Sequence, residues 1–239
     1  MEQTANGCAS LRGTLYGVGV GPGDPDLLTF KAVQVMEACP VVAVPVNASG
    51  ATTAFDIAAA RVDFSNKTVV RLEFAMTKDP AELERTHRAA AQLIAAELDR
   101  GLDVAMPNLG DVSIFSTFSY MMDILGEQGY ECEMIPGVPS FCAVAARLKT
   151  TLTPSMTSPF TVVPSGYGEL VDAMSLPGTK VIMKAGKSLP RLRQELREAG
   201  AYEKASLVQD CGMESEIVAQ SLDDAPEKGG YFTTLVVRA

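Results

Sequence analysis

The sequence predicts an α/β protein of two α/β domains, the first carrying a mostly parallel sheet. Three observations lead there. Strand-length apolar runs alternate with helical segments, which in one chain means a parallel sheet covered on both faces. The loops after those strands are rich in Gly and Pro. A stretch of small polar residues and proline, TTLTPSMTSP at 150–159, interrupts the alternation and suggests a seam. The expected domains are 12–136 and 137–239.

Taken in order, TLYGVGV (14–20) reads as a buried strand, GPGDPD as a tight turn, and LLTFKAVQVMEA as a helix with apolar residues at helical spacing. VVAVP (41–45) repeats the strand signal, and a short helix follows around 54–60. A longer helix spans 79–100, where Asp79 suits the N-cap, Pro80 the first helical position, and acids the first turn; Gly101 stops it. DVAMP (103–107) is a third strand, a helix runs from about 117 to 126, and ECEMI is a fourth strand. After PGVPS (136–140) comes the helical FCAVAARL. Beyond the seam, FTVVPS, KVIMKA, ASLVQD and YFTTLVVRA read as strands, with helices near 169–174 and 188–199.

Composition excludes several classes. The 239 residues carry a formal charge of −9 and no basic run, against nucleic acid or an anionic membrane surface as partner. No segment approaches the ~18 apolar residues of a membrane span. MEQTANGCAS lacks the features of a signal peptide, so a cytoplasmic protein is expected. The five cysteines (Cys8, Cys39, Cys132, Cys142, Cys211) include no C-x-x-C, which predicts reduced thiols and no metal site. The one histidine, His87, sits among charges in ELERTHRAA and reads as part of a solvated face.

Three loops carry the chemistry. In GVGVGPGDPDLLT (17–29) the dinucleotide spacing G-x-G-x-x-G fails at Pro22 and again at Asp24. Proline removes an amide donor, and an aspartate repels a pyrophosphate. No Gly-Lys-Ser/Thr follows, and the second strand ends without the acid that would grip a ribose. The second loop, PNLGDVSIFSTFS (107–119), also follows a strand. Gly110 permits close backbone approach, while Ser116 is either a ligand or the cap of the next helix. The third loop is IPGVPSF. Three such loops at one sheet edge predict a pocket.

In order and spacing, GVGVGPGDPDLLTFKA, VVAVP, NLGDVSIFSTFSYMMDIL and EMIPGVPSFCAVAARL resemble the tetrapyrrole (corrin/porphyrin) methylase family, over about 14–148 and more weakly to the end. SIFSTFSY, the SF after the Pro-Gly loop, and Met183–Lys184 resemble the branch that methylates carbon 20 of precorrin-2 or cobalt-factor II. The resemblance implies a homodimer with a folded S-adenosylmethionine in a cleft between the domains, S-adenosylhomocysteine as product, and a reduced tetrapyrrole as substrate. By position it assigns to the cofactor Pro22, Leu109, Gly110, Asp111, Ile114, Ser140, Lys184 and Cys211. The chain departs from the family pattern at Val112 and at Pro139.

Methyl transfer from a sulfonium expels a neutral thioether, so orientation supplies most of the rate. A base for the proton displaced at carbon 20 is sought at Tyr231 or Asp111, with Asp24 as a further candidate. For the substrate carboxylates the candidates are Arg147, Lys149, Lys184, Lys187, Arg191 and Arg193. Other methylases of this fold, acting on uroporphyrinogen III, diphthine or rRNA, and a non-catalytic carrier are the alternatives.

Overall fold

The computed structural model describes residues 12–46, 50–75, 77, 79–164 and 170–239. Cys8, Ser165 and Glu169 lie outside the described residues. The chain divides into two compact units: one runs to Gly21 and resumes over Pro25–Val138, and the other comprises Pro22–Asp24 and Pro139–Ala239.

The first unit is a five-stranded, wholly parallel sheet in the order β3-β2-β4-β1-β5. Its strands are β1 (Leu15–Gly19), β2 (Val41–Val46), β3 (Thr68–Glu73), β4 (Val104–Asn108) and β5 (Cys132–Ile135). β1, β2 and β4 are apolar almost throughout because both faces are covered. β3 is absent from the sequence reading: it is an edge strand, only Leu72 of TVVRLE is buried, and it offers no apolar run.

The helices are α1 (Phe30–Ala38), α2 (Thr53–Ala59), α3 (Pro80–Leu98) and α4 (Phe118–Glu127). Thr29 caps α1 through the Ala32 N–H at 3.1 Å, and Asp79 caps α3 through the Ala81 N–H at 3.0 Å, with Pro80 at the first position. Ile94 and Leu98 of α3 and Phe118, Met121 and Leu125 of α4 pack with Leu15, Val104 and Met106 in one core. Gly17 is explained here, since a Cβ would stand 2.5 Å from the Phe118 ring. It makes room for the core.

In the second unit, β6 (Phe160–Pro164), β7 (Thr179–Met183), β10 (Thr233–Val237), β8 (Ala205–Gln209) and β9 (Ile217–Ala219) form a mixed sheet in that order. β6 and β7 are parallel and the other pairs antiparallel. The three-residue β9, mostly exposed, gives no sequence signal. Helices α5 (Ser140–Arg147), α6 (Leu170–Ser175) and α7 (Leu189–Glu198) complete the unit. Leu189, Leu192 and Leu196 of α7 pack on Ile182, Leu207 and Leu235. The 150–159 stretch runs between α5 and β6, within this unit.

Candidate functional site

β1 lies between β4 and β5, so the loops leaving the C-terminal ends of these three strands meet at one edge of the first sheet. Their backbones are in direct contact. Gly21 and Gly110 form an antiparallel bridge: the Gly110 N–H donates to Gly21 O at 2.8 Å, and the Gly21 N–H to Gly110 O at 3.2 Å. Both glycines have left-handed backbones, φ 78° and 75°, which side chains rarely adopt. A Cβ on Gly19 would lie 2.6 Å from the Gly137 nitrogen, and one on Gly137 only 2.3 Å from the Gly110 oxygen. The backbones of the first, second and third loops therefore approach one another at positions that only glycine can occupy.

Asp111 ties two of them together. Its Oδ1 accepts the Ser113 N–H at 2.8 Å and the Ser113 hydroxyl, and its Oδ2 accepts the Gly137 N–H at 2.9 Å. Partial burial opposes ionisation, yet these hydrogen bonds prevail and hold the carboxyl below the usual carboxylate range. A carboxylate so engaged is a weak base, and the geometry speaks against Asp111 as a proton acceptor and for a positioning role. Leu109 and Ile114 are half-buried beside it, and the Ile114 N–H donates to the Asp111 carbonyl at 3.2 Å. Ser116 serves the helix start: its Oγ accepts the Phe118 N–H at 3.1 Å and donates to Asn108 Oδ1 at 2.8 Å. Between them Phe115 is held at φ 49°.

The remaining predicted contacts, Pro22, Ser140, Lys184 and Cys211, belong to the second unit. Pro22 is buried, and the next residue, Gly23, approaches the Cys211 carbonyl so closely that a Cβ would stand 2.4 Å from it. Glu216 fixes that turn by accepting the Gly212 N–H at 2.7 Å and the Arg147 guanidinium N–H at 3.0 Å. Ser140 opens α5, where Pro139 holds the cap position without a side-chain hydrogen bond. Lys184, left-handed at φ 57° just past β7, sets its ammonium 5.5 Å from the centroid of the half-exposed Tyr231 ring. Tyr231 follows Gly229 and Gly230, and the Gly230 N–H donates to Gln209 Oε1 at 2.7 Å.

Sequence reasoning placed the loops and missed what locks them. The Asp111–Ser113 turn was readable from the D-x-S spacing. The Asp111–Gly137, Gln209–Gly230 and Arg147–Glu216 contacts join distant segments and leave no local signal.

His87 is buried and stacked on Tyr120, with ring centroids 4.3 Å apart, and is not part of a solvated face. Desolvation lowers its pKa. Burial pushes the Cys39 thiol up to about 12 and Cys132 and Cys211 to about 11, which keeps them protonated at neutral pH. Among the described residues no group of three or more His, Cys, Asp or Glu could hold a metal ion, and no helix is long and apolar enough to cross a membrane.

Comparison with known proteins gives concordant results. The family model for the tetrapyrrole (corrin/porphyrin) methylases matches residues 14–226. The chain is 29% identical over 233 residues to the cobalt-precorrin-2 C(20)-methyltransferase of Salmonella typhimurium, covering 95% of this chain and 97% of that one. It is 28% identical to the precorrin-2 C(20)-methyltransferase of a Sinorhizobium species, over 94% and 95% of the two chains. Uroporphyrin-III C-methyl transferase from Thermus thermophilus, solved in complex with S-adenosylhomocysteine, superposes with a TM-score of 0.68 at 22% identity, covering 94% of this chain and 97% of that one. At that identity the likeness speaks for the fold.

Proposed function

We propose that this chain, which belongs to the tetrapyrrole (corrin/porphyrin) methylase family, is an S-adenosylmethionine-dependent methyltransferase acting on carbon 20 of precorrin-2 or its cobalt-containing counterpart in cobalamin biosynthesis. The observation that carries the reading is the end-to-end likeness to C20-methyltransferases, spanning 95% of this chain and 97% of the Salmonella relative. The loops support it chemically. Their glycines let the three loop backbones close on one another with no side chain between them, and the loop residues 17–29, 107–119 and 136–140 contain carboxylates but neither Lys nor Arg. Such a lining suits a cationic ligand and repels a pyrophosphate.

When bound, S-adenosylmethionine supplies an electrophilic methyl group on a sulfonium whose departure leaves a neutral thioether. The residues of this chain bind and orient. Gly110 lets backbone approach the ligand, Leu109 and Ile114 offer apolar contact, and Asp111 fixes the second loop to the third. Pro22, Ser140, Lys184 and Cys211 are proposed as contacts from the resemblance, each testable by the cofactor Kd of its single variant. With Asp111 engaged in hydrogen bonds, Tyr231 is the candidate for accepting the proton released at carbon 20. Homodimerisation and a cytoplasmic location belong to the same reading, and sedimentation checks the first.

Incubation with methyl-labelled S-adenosylmethionine and either tetrapyrrole should yield a product one methyl group heavier, with the label at carbon 20 by NMR. Label at another carbon would overturn the position. Binding of both ligands without product would make the chain a carrier.

A further inference from the structure

We infer that the turn between β8 and β9, residues 210–216, seats the first loop, and that Glu216 is a positioning residue for S-adenosylmethionine, holding that loop in its binding shape. This inference rests on the cofactor reading given under the proposed function. Pro22–Asp24 belong to the second unit, although the chain on either side of them belongs to the first. The contact that places them there is backbone on backbone. A Cβ on Gly23 would stand 2.4 Å from the Cys211 carbonyl oxygen, and one on Gly212, whose φ is 79°, would stand 2.6 Å from the Asp24 nitrogen. Neither position admits a side chain.

One oxygen holds the seat. Glu216 Oε2 accepts the Gly212 N–H at 2.7 Å and the Arg147 Nε–H at 3.0 Å, on a side chain that is only 19% exposed. Arg147 is the last residue of α5, the helix that Ser140 opens. The segments carrying Pro22, Ser140 and Cys211, three of the proposed cofactor contacts, therefore converge on the turn this carboxylate fixes. Asp210 shapes the same turn from within, its carbonyl accepting the Met213 N–H at 2.9 Å and its Oδ2 the Ser215 hydroxyl at 3.0 Å. Those bonds reach neither α5 nor the first loop. Gly21, meanwhile, is bridged to Gly110 of the second loop. The first loop is thus gripped at Gly21 and again at Gly23, so its shape is set before any ligand arrives. A loop already ordered spares the ligand the entropy of ordering it, which raises affinity without a new contact.

The test compares the parent with E216A, E216Q and G212A, by calorimetric titration with S-adenosylmethionine and by hydrogen exchange of the ligand-free protein, both well below Tm. Alanine leaves the Gly212 N–H and Arg147 without their acceptor. Glutamine removes the charge but keeps a carbonyl oxygen able to take both bonds, as one oxygen of Glu216 does now. G212A keeps Glu216 and instead drives a Cβ against the Asp24 backbone. E216A and G212A should each raise Kd at least about tenfold. Both should speed exchange in the peptide covering 17–29, far along the chain from either substitution, while the β3 peptide keeps the parent's rate. E216Q should stay within about threefold of the parent Kd, with parent-like exchange in 17–29. The parent's Kd in either E216A or G212A overturns the proposal. So does exchange raised equally in the 17–29 and β3 peptides, or E216Q impaired as badly as E216A. A parent that binds no S-adenosylmethionine overturns the cofactor reading and this proposal with it.

Discussion

Gly137→Ala should open the loop cluster with a single methyl group. The added Cβ would lie 2.3 Å from Gly110 O and 2.7–2.8 Å from the carbonyl carbon and Cα of Gly19, where ordinary contact begins at 3.4 Å. All three atoms are backbone, so no side chain can rotate away, and the loops must separate by about 1 Å. That movement breaks the Gly137 N–H bond to Asp111, a charge-assisted bond worth about 1.5–3 kcal/mol. It also strains the Gly21–Gly110 bridge, where a neutral bond contributes about 1 kcal/mol. Destabilisation of about 2–4 kcal/mol is expected, or about 5–15 °C in Tm for a chain of this size. Calorimetric titration with S-adenosylmethionine should show a Kd raised more than about tenfold, equivalent to about 1.4 kcal/mol. Tm and Kd both unchanged would refute the close contact of the three loops.

Gly126→Ala is the matched opposite: Gly126 lies in α4 with nothing within 4 Å of its Cβ direction, so the variant should gain about 0.5–1 kcal/mol, read as a rise in Tm. Asp111, with its pKa lowered in the folded protein, contributes stability that is present above the unfolded pKa of about 3.9 and is lost as pH falls through the folded value. The stability gap between parent and D111N, measured in urea, should therefore narrow below about pH 4. His87, also lowered, is bound by a proton more readily in the unfolded chain, so stability should decline as pH drops below about 6.5, and H87F should remove that decline. The raised thiols of Cys39, Cys132 and Cys211 should resist iodoacetamide at neutral pH by mass spectrometry, and turnover should survive both this treatment and a chelator. Loss of activity with both ligands still bound would point to a thiol or metal step.

How much of this was legible depends on the range of the interactions. Central strands announce themselves because two covered faces demand apolar side chains throughout, as in VVAVP and DVAMP. The edge strand TVVRLE does not, since its burial is confined to Leu72. Capping is local, and Asp79 with Pro80 was readable to the residue. His87 was misread from its charged neighbours, although it stands in register with Ala90, Ala91, Ile94 and Leu98 on the buried stripe of α3. Gly17 invited a ligand reading, but the Phe118 ring that requires it comes from another element. The loops themselves were visible as Gly/Pro punctuation. Their locking was not, because Asp111–Gly137 and Gly19–Gly137 are tertiary contacts.

The cations invoked for the substrate's carboxylates sort by what already holds them. Arg147 is bonded to Glu216, whose side chain is only 19% exposed, and so fixes the Cys211–Gly212 turn. Arg193 donates to the Tyr202 hydroxyl and to the carbonyls of Ala225 and Pro226, anchoring α7. Arg191 pairs with Glu195 one turn along the same helix. Bidentate guanidinium recognition of a carboxylate by Arg147 or Arg193 would compete with those contacts, and Lys184 already sets its ammonium over the Tyr231 ring. An ammonium meets a carboxylate as a point charge without the directional fork of arginine. With a net charge of −9 the protein's overall field also opposes a polyanion's approach.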